Sequence, residues 1–76
     1  MEIKYSKSAV KFLKRQDTTT QHRIISVIEK LPVGDVVKLQ GIDGFRLRVG
    51  NFRVIYDILG NIIDIIDVGS RGQIYR

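Results

Sequence analysis

The sequence predicts an α+β domain: an N-terminal strand, a helical hairpin, then a three-stranded antiparallel meander, with the helices packed on one face of the sheet. Two observations carry that expectation. In the C-terminal half, three alternating apolar runs at residues 45–49, 52–59 and 62–68 are separated by two-residue steps, Gly50 with Asn51 and Gly60 with Asn61. A Gly-Asn step between such runs signals a two-residue hairpin turn of type II′. In the N-terminal half the apolar residues recur near a 3.6-residue period, which marks helices. Helices gathered on one face of an antiparallel sheet bury both apolar surfaces at once.

The elements follow in chain order. Residues 2–5 form a short candidate strand. Ser6 and Ser8 offer N-caps for a helix reaching to about Gln16, with Ala9, Val10, Phe12 and Leu13 as its apolar stripe. Asp17 caps a second helix carrying Ile24, Ile25, Val27, Ile28 and Leu31, and Pro32 with Gly34 ends it. Residues 35–44 read as a connector with space for one short turn at residues 36–39. No internal repeat, low-complexity tract or linker interrupts the chain, so residues 1–76 are expected to form a single domain.

Composition narrows the function. At 76 residues with 43 % hydrophobic content, a thin core is possible; a domain of roughly 60 residues buries only about 60 % of its unfolded surface. With no cysteine, disulfides, thiol catalysis and cysteine-held zinc are excluded, and the lone His22 cannot build a metal site unaided. The N-terminal stretch carries charge where a secretion signal needs an apolar run, and no segment approaches membrane-spanning length. These features point to a soluble, cytoplasmic protein without a membrane partner. Thirteen Lys and Arg against eight Asp and Glu give a net charge of +5, which favours nucleic acid or another polyanion. All six lysines lie at or before Lys38, and every basic residue after Gly44 is arginine: Arg46, Arg48, Arg53, Arg71 and Arg76. Arginine's planar fork suits bidentate phosphate binding.

Two-residue turns fix a register that can be written down in advance. Across the first turn Arg48 faces Arg53 and Arg46 faces Ile55; across the second, Asp57 faces Asp64, Ile55 faces Ile66 and Arg53 faces Val68. Strand side chains alternate faces. One face then holds Phe45, Leu47, Val49, Phe52, Val54, Tyr56, Ile58, Ile63 and Ile65, the expected core. The other holds Arg46, Arg48 and Arg53 toward the first turn and Asp57 and Asp64 toward the second, with Ile55 and Ile66 between. A like-charge pair such as Arg48–Arg53 is disfavoured by roughly a few tenths to 1 kcal/mol. Solvation of an outer face that resists aggregation is one account of such charges; neutralisation by a bound partner is the other. In the tail, Arg71 and Tyr75 are four residues apart, so a single helical turn would set them on one side, beside the arginine cluster if the tail folds back.

These residues resemble a known family. Lys38 and Leu39 with Gly41 and Gly44, the run Phe45-Arg46-Leu47-Arg48, the run Phe52-Arg53-Val54-Ile55-Tyr56, and Arg71 with Ile74 and Tyr75 together look like the C-terminal half of the RelE/ParE toxin superfamily of type II toxin–antitoxin systems. The N-terminal strand and helical hairpin fit the same layout, so the resemblance spans essentially the whole chain. In its RelE branch the resemblance implies a metal-independent endoribonuclease that needs no cofactor and cuts mRNA at the ribosomal A site by 2′-hydroxyl attack on the adjacent phosphate. Arg53, Arg71 and Tyr75 carry over as catalytic residues, and Arg46 and Arg48 as RNA-binding residues. The implied partners are a cognate antitoxin from an adjacent gene, mRNA and the ribosome, with operator DNA reached only through the antitoxin complex.

Two positions depart from the family pattern. Some members place a histidine near the C-terminus as a base, whereas His22 falls in the second helix; Gly44 stands where a second lysine sometimes does. The general base is therefore unassigned. Two other readings share the fold: a ParE-like inhibitor of DNA gyrase, and a non-catalytic relative that only binds an antitoxin.

Overall fold

In the computed structural model, residues 2–41 and 43–70 are described. They form β1 (Glu2–Tyr5), α1 (Lys7–Lys14), α2 (Thr18–Ile28), β2 (Val36–Lys38), β3 (Phe45–Val49), β4 (Phe52–Leu59) and β5 (Ile62–Ser70). The strands make one five-stranded sheet in the order β1-β5-β4-β3-β2. The meander is antiparallel throughout, and β1 runs parallel to β5 with Ile3 beside Ile63 and Tyr5 beside Ile65.

Both helices begin where the sequence places a cap. The Ser6 hydroxyl accepts from the Ala9 amide at 3.0 Å, and the Asp17 carboxylate from the Thr20 amide at 2.9 Å, satisfying donors that a helix start leaves without intrahelical partners. Ser8, the other candidate cap, instead donates its hydroxyl to Asp67 Oδ1 at 2.9 Å. The Gln21 amide donates to the carbonyls of Leu13 and Gln16 at 2.9 and 3.0 Å, stitching the end of α1 to the side of α2.

The helix pair covers one face of the sheet. Ala9, Leu13, Ile24, Ile28 and Leu31 meet Leu47, Val49, Val54, Tyr56, Ile63, Ile65 and Val68, all buried. Phe45 and Tyr56, opposite each other on β3 and β4, stack at 5.3 Å between ring centroids. Phe12 meets Phe52 edge-to-face at 6.0 Å and so pins α1 to the β3–β4 turn. Both hairpin turns are of the expected kind. Gly50 and Gly60 have φ of +58° and +60°, while no non-glycine residue has positive φ, as type II′ requires.

The structure corrects two expectations. Residues 36–38 are an edge strand rather than part of a connector, pairing Val36 with Leu47, Val37 with Arg46 and Lys38 with Phe45. β-Branched Val36 and Val37 fit the free edge of β3, and Lys38 discourages further pairing there. The second correction concerns register. Pairing runs as expected from Leu59–Ile62 through Asp57–Asp64 to Tyr56–Ile65, but Ile55 then faces Asp67, Val54 faces Val68 and Arg53 faces Gly69. Ile66 is the extra residue of a β-bulge, 42 % exposed. A one-residue shift exchanges faces. It carries Val68 into the core, 2 % exposed, where the unbulged register would have set it outward beside Arg53. The hydroxyl of Ser6 donates to the Ile66 carbonyl at 2.7 Å and so holds the bulge against the start of α1.

Among the described residues no helix is long and apolar enough to cross a membrane.

Candidate functional site

The face of the sheet opposite the helices carries four rows of side chains. Nearest the β3–β4 turn, Arg48, Arg53 and Gly69 lie side by side on β3, β4 and β5. The next row is Val37, Arg46, Ile55 and Asp67. Farther from that turn, Asp57 and Asp64 pair, with Lys4 of β1 beside Asp64, and beyond them lie Leu59, Ile62 and Glu2. Basic charge thus gathers at one end and acidic charge at the other. The structure brings Arg46, Arg48 and Arg53 together as the sequence indicated, whereas Arg71 and Tyr75 lie outside the described residues.

Local geometry sharpens the arginine row. A two-residue turn makes the flanking pair Val49–Phe52 the hydrogen-bonded one, so Arg48 and Arg53 occupy the closer kind of pair, with Cα atoms about 4.5 Å apart. Two guanidinium groups issuing from so close a pair of backbone positions repel unless an anion or solvent lies between them. On the β5 side, the bulge sets Gly69, which has no side chain, opposite Arg53. On the β3 side, Arg48 has Asp35 for company: Nε lies 3.8 Å from Oδ2, and the Arg48 amide donates to the Asp35 carbonyl at 3.0 Å. Both side chains are about half exposed or more, so this ion pair contributes little and yields readily to a competing anion.

The remaining polar candidates fall elsewhere. His22 is exposed on α2, as expected of a helix-surface residue. Tyr5 and Tyr56 belong to the core side of the sheet, and both phenols are pushed above their ordinary value by burial, with the charge of Glu29 adding to the effect at Tyr5. Neither is a source of phenolate. Gly44 has φ of +131°, and a Cβ there would sit 3.2 Å from the Tyr56 carbonyl oxygen. A side chain at that point would be strained. Among the described residues no cluster of three or more His, Asp or Glu side chains is arranged to hold a metal ion.

A groove of about 340 Å³ opens on the helical side, lined by Tyr5, Val10, Leu13 and Ile25 with Lys14, Gln21 and Glu29. It is apolar, holds none of the arginines, and lies across the sheet from them. One further cation does reach the arginine end, and sequence reasoning missed it. Arg23 of α2 lies against Gly50, its Nη2 2.6 Å from where a Cβ on that glycine would be. Nothing local announces this contact, which arises from how α2 packs over β3.

Comparison with known proteins agrees with this architecture. A family model described as the ParE toxin of the type II toxin–antitoxin system parDE matches residues 3–75. A chain of the RelB–RelE antitoxin–toxin complex from Methanococcus jannaschii is similar at 30 % identity and a TM-score of 0.74, over 93 % of this chain and 93 % of that one. A chain of the RelBE2 toxin–antitoxin complex from Mycobacterium tuberculosis shares the fold at 19 % identity and a TM-score of 0.71, over 92 % and 96 %. A mutant of the E. coli toxin RelE in the free state does so at 20 % and 0.65, over 91 % and 81 %. Among curated proteins none matches the sequence. The match along nearly the whole chain, on a sheet and helix layer of the same architecture, shows that this chain belongs to the RelE/ParE superfamily of type II toxin–antitoxin toxins.

Proposed function

We propose that this toxin is a metal-independent endoribonuclease that cleaves mRNA, at the ribosomal A site, on the arginine end of its open sheet face. The observation that carries the reading is the Arg48–Arg53 pair, two guanidinium-bearing positions directly opposed on the face that the helices leave uncovered. RNA supplies its own nucleophile. The 2′-hydroxyl loses its proton to a base, its oxygen bonds to the adjacent phosphorus, and the bond from phosphorus to the 5′-oxygen breaks. That leaving oxygen takes up a proton, and a 2′,3′-cyclic phosphate remains. The protein must move two protons and stabilise the negative charge that builds on the phosphoryl oxygens. Arg53 and Arg71 take the second task, Arg46 and Arg48 neutralise the flanking backbone, and Tyr75 stacks on a base or takes part in proton transfer. A free tyrosine titrates near pH ~10, and neighbouring arginines favour its ionised form. Chain connectivity supports the grouping: β5 ends at Ser70 opposite Phe52, next to Arg53 on β4, and Arg71 is the next residue.

The solved relatives that are toxin–antitoxin complexes support a cognate antitoxin as partner; operator DNA would be reached only through that complex. An acidic amphipathic segment suits the mixed Arg and Ile surface of the open face. The setting is cytoplasmic, where mRNA and ribosomes are. A second reading is favoured by the description of the matching family model: inhibition of DNA gyrase, as in the ParE branch. The joint presence of Arg53, Arg71 and Tyr75 favours the nuclease.

Primer extension on cellular mRNAs, shortly after inducing the wild type and Arg71→Ala in parallel, separates the two. New cuts within translated frames, absent from the Arg71→Ala cells, are the expected result. Growth arrest without cuts transfers the protein to the gyrase-directed reading. Neither arrest nor cuts leaves a binding module.

A further inference from the structure

The two glycine-led turns of the meander are alike in backbone and differ in surroundings. Gly60, at the acidic end, has φ of +60° and nothing within 4 Å of a notional Cβ, so there the glycine serves the turn alone. At Gly50, at the arginine end, a Cβ would lie 2.6 Å from Nη2 and 3.2 Å from Cζ of Arg23. The bare Cα therefore also makes room for a guanidinium that reaches across from the helix layer. Arg48 is two residues before Gly50, about 7 Å along the strand. Arg23 is exposed, and among the described residues no carboxylate lies within ion-pair distance of it. Packing against the turn, and not an ion pair, sets its position.

We infer that Arg23 completes a phosphate-binding track that wraps the β3–β4 turn, taking an RNA backbone phosphate beyond those held by Arg48 and Arg53. This rests on the ribonuclease reading. A single oxyanion would be satisfied by the opposed pair on the sheet. A third guanidinium, around the rim from that pair, is useful to a ligand with successive phosphates along a chain. Arginine's planar fork can hold each such phosphate bidentately. The backbone crosses the open face, passes over Gly50 and Asn51, and leaves along α2 at Arg23. Arg23 is a positioning residue for RNA and takes no part in the chemical step.

The test is binding of a single-stranded RNA oligonucleotide with 2′-O-methyl groups, which cannot be cleaved, measured by fluorescence anisotropy across a salt series. The proteins compared are the wild type, Arg23→Gln, Arg23→Lys and Lys14→Gln, the last removing the same charge from the groove side of the molecule. Arg23→Gln is expected to weaken binding several-fold. It should also flatten the slope of log affinity against log salt by about 0.7, the value for one single-strand phosphate contact. Arg23→Lys should recover most of the slope, and Lys14→Gln should leave it unchanged. Because Arg23 is exposed, thermal unfolding of all four should coincide. If Arg23→Gln and Lys14→Gln behave alike, or if the wild type shows no salt-dependent binding, the inference is overturned. The ribonuclease reading falls separately, and only with the absence of cuts in cellular mRNA.

Discussion

The Ser6 hydroxyl serves two partners. It accepts from the Ala9 amide to start α1 and donates to the carbonyl of the bulge residue Ile66, so one oxygen couples the first helix to the last strand. Ser6→Ala should therefore lose a cap worth about 1 kcal/mol and a hydrogen bond worth about 1 kcal/mol more. Thermal unfolding followed by circular dichroism should show a midpoint roughly 8–16 °C lower, with Ser6→Thr retaining most of the stability. The same residue shows what sequence can and cannot announce. Its capping role was legible, since a serine before an apolar helical stripe has a local mechanism. Its bond to Ile66 joins positions sixty residues apart in the chain and has no local signature. Arg48 and Arg53 were legible for a different reason: a two-residue turn and strict alternation leave one possible pairing. Arg23 was not, because its place depends on the angle at which α2 crosses the sheet.

At the scale of elements, the instructive case is β5. Alternation extended from Ile63 and Ile65 sends Ile66 and Val68 outward together, yet Val68 is buried opposite Val54 and Ile66 is the residue displaced. The sequence fits either register, since Ile65, Ile66 and Val68 are all apolar; only the burial of residues 63, 65 and 68, two apart and then three apart, shows how the bulge re-phases the strand. The bulge serves the site as well, since it sets Gly69 instead of Val68 opposite Arg53. A pair of substitutions tests it. Val68→Ser should cost about 2–4 kcal/mol in urea denaturation, through a cavity and a buried hydroxyl. Ile66→Ser should cost less than about 1 kcal/mol. The reverse order would restore the unbulged register. The strand β2 escaped sequence reading because three residues are too few to display a period, and only the open edge of β3 gives them a structure.

Across the whole molecule, the division of labour follows from the layers. The helix pair covers one face of the sheet and supplies the core, and the second face is left to charge. Along that face arginine gathers at the Gly50 end and aspartate at the Gly60 end, so a polyanion meets attraction and repulsion at opposite ends and is both drawn in and oriented. The parallel pairing of β1 with β5 adds an edge strand along residues 62–65, at the aspartate end of the sheet. The central claim is that this open face, with Arg53 at its arginine end, processes RNA. It is tested most directly by single-turnover cleavage of mRNA on programmed ribosomes with saturating toxin, comparing the wild type with Arg53→Ala. If Arg53 stabilises charge that develops only during phosphoryl transfer, its loss should slow cleavage about a hundred- to a thousand-fold, with ribosome binding changed far less. Cleavage by Arg53→Ala at the wild-type rate, or no cleavage by the wild type, would contradict the account.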